Sequence, residues 1–150
     1  MNAKEFVALK RNENPDCKIV ATNGCFDVIH AGHISMLKSA KIFGDFLIVG
    51  LNSDKSVKSL KGASRPVNSQ ENRKYLLEEL RCVDFVEIFE STTCEDFLTQ
   101  IKPDIYVKSS DYSIDTLNQK EKEALSSCGA DIKIVKFIKD LSSSRILSKL

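Results

Sequence analysis

The feature that most constrains this chain is the alternation of short, largely apolar runs with longer segments of helical pattern. Residues 17–21, 46–51, 83–89, 105–107 and 132–138 are rich in β-branched and aromatic side chains. Such short runs read as strands buried on both faces. Between them, 31–43 has helical spacing, with Ile34, Leu37, Ile42 and Phe43 able to share a face and Gly44 placed as a C-cap. Asn52, Ser53 or Asp54 can cap a short helix, Ser69 opens another over 71–80, and 94–101 must end near Pro103. Residues 115–127 read as a helix stopped by Gly129, 142–150 as a closing helix, and 58–68, with Gly62 and Pro66, as a loop. Strand–helix alternation predicts an α/β fold: a Rossmann-like, doubly wound parallel sheet of about five strands in three α/β/α layers. The 150 residues suit a single domain. Ligands in such sheets bind beyond the carboxyl ends of the strands, so the turns at 22–33, 52–54, 108–112 and 139–143 are expected to line any site.

Composition narrows the partners. The net charge is +1, from 22 basic and 21 acidic residues. Proteins that hold nucleic acid usually carry a basic excess, so none is expected as a partner. A small anionic substrate needs only a local positive cluster. No apolar run approaches the roughly 20 residues that span a bilayer, and MNAKEFVALKRNENPD lacks a signal-peptide pattern. The five cysteines are odd in number and form no Cys-x-x-Cys pair, which argues against a disulfide framework or a zinc site. Free thiols in a reducing, cytoplasmic setting are expected.

The chemistry concentrates at one place. The chain has two histidines, His30 and His33, flanking Ala31 and Gly32 at the mouth of the first strand-following helix. Three-residue spacing puts both imidazoles on one side of the first turn. A helix N-terminus already offers unpaired N–H groups and a positive dipole end, so the pair builds a site for phosphate oxygens. Gly32 would let phosphate approach the backbone, and Gly24 would make the tight turn after the strand. A single histidine here could be only a cap, and metal binding is a second functional reading. Zinc would want a third protein ligand, and no further histidine exists.

TNGCFDVIHAGH (22–33) resembles the H-x-G-H signature of the cytidylyltransferase-like nucleotidyltransferase superfamily. NSDKSVKSLKGASRPVNSQENR (52–73) is similar to the corresponding stretch of the heptose-phosphate adenylyltransferases of lipopolysaccharide and surface-sugar synthesis. KPDIYVKSSDY (102–112) and LSSSRIL (141–147) are similar to later segments of the same family. The resemblance implies one-step nucleotidyl transfer from a nucleoside triphosphate, ATP favoured, to a sugar phosphate such as a heptose 1-phosphate, with release of pyrophosphate and magnesium bridging the phosphates. It implies that His30, His33 and Lys61 are catalytic. Thr22, Asn23, Gly24, Phe26, Gly32, Arg73, Asp111, Ser142, Ser143 and Ser144 would bind nucleotide or phosphate, with Arg73 alternatively ordering the mobile loop. Asp27, Arg65 and Asn68 would meet the second substrate, and the protein would be a homodimer.

Bland readings stand beside these. Lys61 ends a Lys-rich run, Arg73 could be a surface residue near Glu71, the serines could be a plain N-cap, Asp27 could bond backbone within its turn, and Asp111 could merely end the strand. Ser109-Ser110 stands where the family often has Gly-Gly, which narrows the pocket or alters base preference. Phe137-Ile138-Lys139 stands where the glycerol-phosphate relatives carry an arginine. Two other functions remain in view: a glycerol-3-phosphate or other polyol-phosphate cytidylyltransferase using CTP, and a non-catalytic nucleotide-binding module.

Overall fold

The computed structural model describes residues 1–136 and 142–150. Among them, β1 (Ile19–Gly24), β2 (Phe46–Asn52), β3 (Phe85–Phe89), β4 (Ile105–Ser109) and β5 (Asp131–Val135) form one parallel sheet in the order β3-β2-β1-β4-β5. The helices are α1 (Ala3–Glu13), α2 (Ala31–Lys41), α3 (Asp54–Lys61), α4 (Gln70–Glu78), α5 (Glu95–Ile101), α6 (Gln119–Cys128) and α7 (Ser143–Ser148), with a 3-10 turn at Ile114–Thr116. The expected Rossmann-like arrangement is present. The apolar runs read as they do because side chains alternate between two cores. Val20, Leu47, Val49, Leu51, Val86 and Val107 face α2 and α4 through Leu37, Ala40 and Leu77. Ile19, Ala21, Ile48 and Tyr106 face α1, α5 and α6 through Val7, Phe97, Leu98, Ile101 and Leu125.

Strand order reverses between β1 and β4, and there the ladder is short. β1 pairs with β2 from Ile19↔Phe46 to Gly24↔Leu51, but with β4 only at Val20↔Ile105 and Ala21↔Tyr106. The two strands part toward their carboxyl ends, opening the crevice in which doubly wound sheets hold ligands. A side chain bridges the parting, where Thr22 Oγ1 donates to the Val107 carbonyl at 2.8 Å.

Several local expectations are corrected. Helix α1 went unread although its signal was present. Asn2 Oδ1 accepts from the Glu5 N–H and Glu5 Oε2 accepts from the Asn2 N–H, both at 2.9 Å, a capping box written as Asn-x-x-Glu. The segment 115–127 is not one helix, because Asn118 Oδ1 accepts from the Lys120 and Glu121 N–H groups and starts α6 afresh. Helix α3 persists to Lys61, into the expected loop. On α2 the buried positions are Met36, Leu37 and Ala40, whereas Ile42 is 84% exposed. β5 ends at Val135, and 137–138 of the expected strand lie outside the described residues. Gly44 is not a cap: α2 closes at Ile42. A Cβ on Gly44 would sit 2.7 Å from both the Lys18 carbonyl oxygen and Val20 Cγ2, so the turn into β2 needs glycine for close approach to β1.

Gly44→Ala should therefore destabilise the fold by about 1–3 kcal/mol through overpacking. Urea unfolding measures it, and a midpoint equal to wild type would show that the turn relaxes at no cost.

Candidate active site

A cleft of about 570 Å³ lies over the carboxyl ends of β1, β2 and β4. Thr22, Asn23, Gly24, Phe26, Asp27, His30, Gly32, His33, Lys61, Arg65, Asp111, Ser142, Ser143 and Ser144 all line it. The turns at 22–33, 108–112 and the described part of 139–143 thus meet where the sheet topology requires, with Asn52 from the remaining turn; 139–141 lie outside the described residues. Arg73 and Asn68 are not on the wall.

His30 is itself the N-cap of α2. Its Nδ1 accepts the Gly32 N–H at 3.0 Å, and His33 Nδ1 accepts the His30 N–H at 3.2 Å. The two rings stack with centroids 3.9 Å apart. Because each Nδ1 is taken as an acceptor, each neutral ring carries its proton on Nε2. His30 Nε2 is buried without a partner among the described residues. Burial pushes both imidazoles toward the neutral form. His33 falls to about 4, with the neighbouring His30 and Lys61 adding to the effect. The helix mouth therefore presents two neutral N–H donors held by its own backbone. Phe26 shapes the approach: it takes the left-handed conformation at φ 47°, and its ring lies 5.2 Å from that of His33. The tight turn expected of Gly24 is thus made by Phe26. Gly24 is needed because a Cβ there would come within 2.9 Å of the Phe26 ring.

Asp27 organises the opposite wall. Its carboxylate accepts the Val67 and Asn68 N–H groups at 2.8–2.9 Å and pairs with Arg65 Nε at 2.5 Å. Asn68 Nδ2 returns a bond to the Asp27 carbonyl at 2.7 Å. Burial works against the Asp27 charge, but the Asn68 and Val67 N–H groups and the Arg65 guanidinium outweigh it and hold the carboxyl below its ordinary range. Asp27 and Asn68 thus spend these groups on the protein, a correction to their expected contact with substrate. Arg65 Nη1 also donates to Ser144 Oγ at 3.3 Å, linking this loop to α7. Ser143 Oγ donates to the Val28 carbonyl at 2.8 Å, and Ser142 caps α7 by accepting the Arg145 N–H at 3.0 Å.

Arg73 is fully buried. It donates to the carbonyls of Asn68, Cys25 and Asn52 at 3.0, 2.7 and 2.8 Å and pairs with Asp54 at 2.8 Å. Direct phosphate binding is therefore corrected to the alternative: Arg73 orders the loop. The Ser109 hydroxyl hydrogen-bonds Asp111 and is turned to that carboxylate.

Sequence reasoning missed Lys108, Tyr112 and Glu121, which also line the cleft. The signal for Lys108 was a charge closing an apolar strand at its carboxyl end, where strands deliver functional groups. Among the described residues no group of three His, Cys, Asp or Glu side chains could hold a metal ion. No helix among the described residues is long and apolar enough to cross a membrane.

The chain is similar to known proteins over most of its length. The family model described as cytidylyltransferase-like matches residues 21–149. The chain is 43% identical over 148 residues to the bifunctional protein HldE of Alcanivorax borkumensis, covering 99% of this chain and 31% of that protein. It is 47% identical over 143 residues to the bifunctional protein HldE of Helicobacter pylori strain G27, covering 95% and 29%. The chain thus spans less than a third of the length of these curated relatives. The crystal structure of a lipopolysaccharide core biosynthesis protein from Thermoplasma volcanium superposes with a TM-score of 0.66 at 27% identity, covering 82% of this chain and 98% of that one.

The histidine geometry has a measurable consequence. A folded-state pKa of about 4 for His33, against 6.5 for the free side chain, means that the unfolded chain binds a proton that the folded chain refuses. This contribution to stability is fully present above pH about 6.5 and is lost as pH falls toward 4. The urea midpoint of wild type should fall across that window more steeply than that of His33→Asn. Parallel profiles would refute a neutral, backbone-held imidazole.

Proposed function

The chain belongs to the cytidylyltransferase-like family, and from that membership we propose that it is a nucleotidyltransferase joining ATP to a heptose 1-phosphate in the making of a surface-polysaccharide precursor. The observation that carries this reading is the pair of stacked, neutral imidazoles with Nε2–H donors at the N-terminus of α2. A phosphate oxygen of the acceptor attacks the α-phosphorus, the bond to the β-phosphate oxygen breaks, and pyrophosphate leaves. A phosphate dianion is already a nucleophile, so the protein's work is positioning and stabilisation of developing charge. His30 and His33 donate to the α- and β-phosphates, with Gly32 and Phe26 shaping the backbone beside them. Lys61, exposed at the end of α3, supplies positive charge from above. Thr22, Asn23 and Gly24 form the floor, and Asp111 meets the nucleoside. Ser142, Ser143 and Ser144 present the N-terminus of α7 to the outer phosphates. Asp27 and Asn68 act by fixing the 62–68 loop that follows Lys61, from which Arg65 reaches the second substrate. Magnesium carried in with the triphosphate would supply positive charge for the departing pyrophosphate.

The similarity to a lipopolysaccharide core biosynthesis protein supports a surface-sugar acceptor over glycerol phosphate. The intact His30, His33 and Lys61 favour turnover over mere binding. The same proposal takes the 150 residues as one catalytic domain, at work in the cytoplasm as a homodimer. Exposed Ile34, Ile42 and Phe43 are candidates for the contact, and sedimentation measures the oligomeric state.

Two outcomes test the reading. Pyrophosphate release should show its highest kcat/KM with ATP and heptose 1-phosphate, vanish with EDTA and return with magnesium. A preference for CTP with glycerol 3-phosphate rejects the heptose acceptor and leaves nucleotidyl transfer standing. His30→Ala and His33→Ala should each lower kcat by about 10²–10³, the loss typical of one preorganised donor. Near-wild-type turnover in either variant would remove that histidine from the phosphate site.

A further inference from the structure

Lys108 stands next to last in β4, on the floor of the cleft, and is only 8% exposed. A lysine so deeply placed ordinarily finds a carboxylate. Among the described residues, no carboxylate comes within ion-pair distance of it. Its one hydrogen bond is to Asn23 Oδ1 at 2.7 Å. The rings of Tyr112 and Tyr106 lie 4.8 and 5.5 Å from its Nζ. An ammonium has three donors, and one amide oxygen with two aromatic faces leaves donors without a direct acceptor, while Glu121 and Asp111 act on the charge only at longer range. The arrangement is nevertheless built. Asn23 Oδ1 also accepts the Tyr106 hydroxyl at 2.6 Å, and Tyr106 is fully buried. The Tyr106 hydroxyl therefore fixes the amide oxygen that holds the ammonium, across the seam where β1 and β4 part.

The position of Lys108 separates it from the histidine pair. Alternate strand residues share a face. Tyr106 belongs to the core under α5 and α6, which places Lys108 on that side, whereas α2 packs on the opposite core. His30 and His33 at the mouth of α2 thus approach the cleft from one face of the sheet and Lys108 from the other. Of the cationic side chains among the described lining residues, Arg65 is paired with Asp27, leaving Lys61 on the rim and Lys108 on the floor.

We propose that Lys108, held by Asn23 and Tyr106, binds the phosphate of the second substrate and so selects a phosphorylated acceptor. This rests on the nucleotidyltransferase reading above. The triphosphate takes the α2 side with His30, His33 and Lys61. The acceptor phosphate takes the Lys108 side, so attacking and leaving oxygens meet the α-phosphorus from opposite faces, as in-line displacement requires. Burial presses the Lys108 ammonium toward neutrality against the opposing pull of Glu121 and Asp111, and an incoming dianion supplies counter-charge in direct contact.

The test titrates a non-hydrolysable ATP analogue, heptose 1-phosphate and unphosphorylated heptose separately onto wild type, Lys108→Met and Lys108→Arg, by calorimetry. Thermal unfolding confirms that the variants are folded. Lys108→Met should weaken heptose 1-phosphate by about tenfold to hundredfold, the range of a charge-assisted hydrogen bond. ATP-analogue affinity should stay within about twofold, and Lys108→Arg should recover part of the loss. Steady-state assays should place the change in the acceptor KM. Equal heptose 1-phosphate affinity in Lys108→Met and wild type overturns the Lys108 assignment alone. A loss confined to the ATP analogue overturns it as well, by moving Lys108 to the nucleotide. Wild type that binds the ATP analogue but discriminates no heptose 1-phosphate from unphosphorylated heptose overturns the acceptor reading and Lys108 with it.

Discussion

The buried guanidinium of Arg73 is the interaction on which the cleft depends. A charge in the interior is costly unless its donors are matched, and the planar fork of arginine can match several acceptors at once. Here it reaches the Cys25 carbonyl after β1, the Asn52 carbonyl ending β2 and the Asn68 carbonyl in the loop after α3, and it pairs with Asp54 at the start of α3. Each of these segments carries part of the site. The Cys25 turn leads to the histidines, and the 62–68 loop carries Arg65 to Asp27. A lysine could not hold these acceptors together, because its donors radiate from one atom. The walls of the cleft are therefore fixed from behind.

The same economy governs the histidines. Two stacked imidazoles would repel if charged, and their burial beside a helix N-terminus opposes a proton further. Neutrality lets each Nδ1 serve as a cap while Nε2 keeps its hydrogen for a ligand. Under the proposed function, helix capping and phosphate recognition are thus one arrangement. Removing either ring would take a backbone cap and an N–H donor from the first turn of α2 together.

Much of this was legible in the chain. Buried parallel strands announce themselves as continuous apolar runs, and the strand–turn–histidine arrangement places its own site, because doubly wound sheets bind at strand ends. Helix α1 was legible but unread, since Asn2 and Glu5 spell a capping box directly before the apolar residues Phe6, Val7, Ala8 and Leu9. What the chain could not disclose was partnership across long separations. Nothing local distinguishes an Arg73 that binds phosphate from one that binds Cys25 and Asn52 carbonyls, 48 and 21 residues away. Asp27 and Asn68 carried the same ambiguity, because a polar residue near a site reads alike whether it faces ligand or backbone. Gly44 was misread for a related reason: cap and close approach both select glycine, and only the contact with Lys18 and Val20 separates them.

The split ladder between β1 and β4 ties these threads together. Had the pairing continued past Ala21 and Tyr106, the backbone groups at the carboxyl ends would satisfy one another and leave no crevice. Because it stops, side chains must fill the seam, and those present are polar: Thr22 bonded to the Val107 carbonyl, and Asn23 bonded to Tyr106 and Lys108. A seam closed by side chains leaves donors where a closed ladder would leave none. The topology that reverses strand order at this point thus produces both the opening for a ligand and the polar floor that meets it, with Thr22 on the face of the helix that carries the histidines and Asn23, Tyr106 and Lys108 on the other.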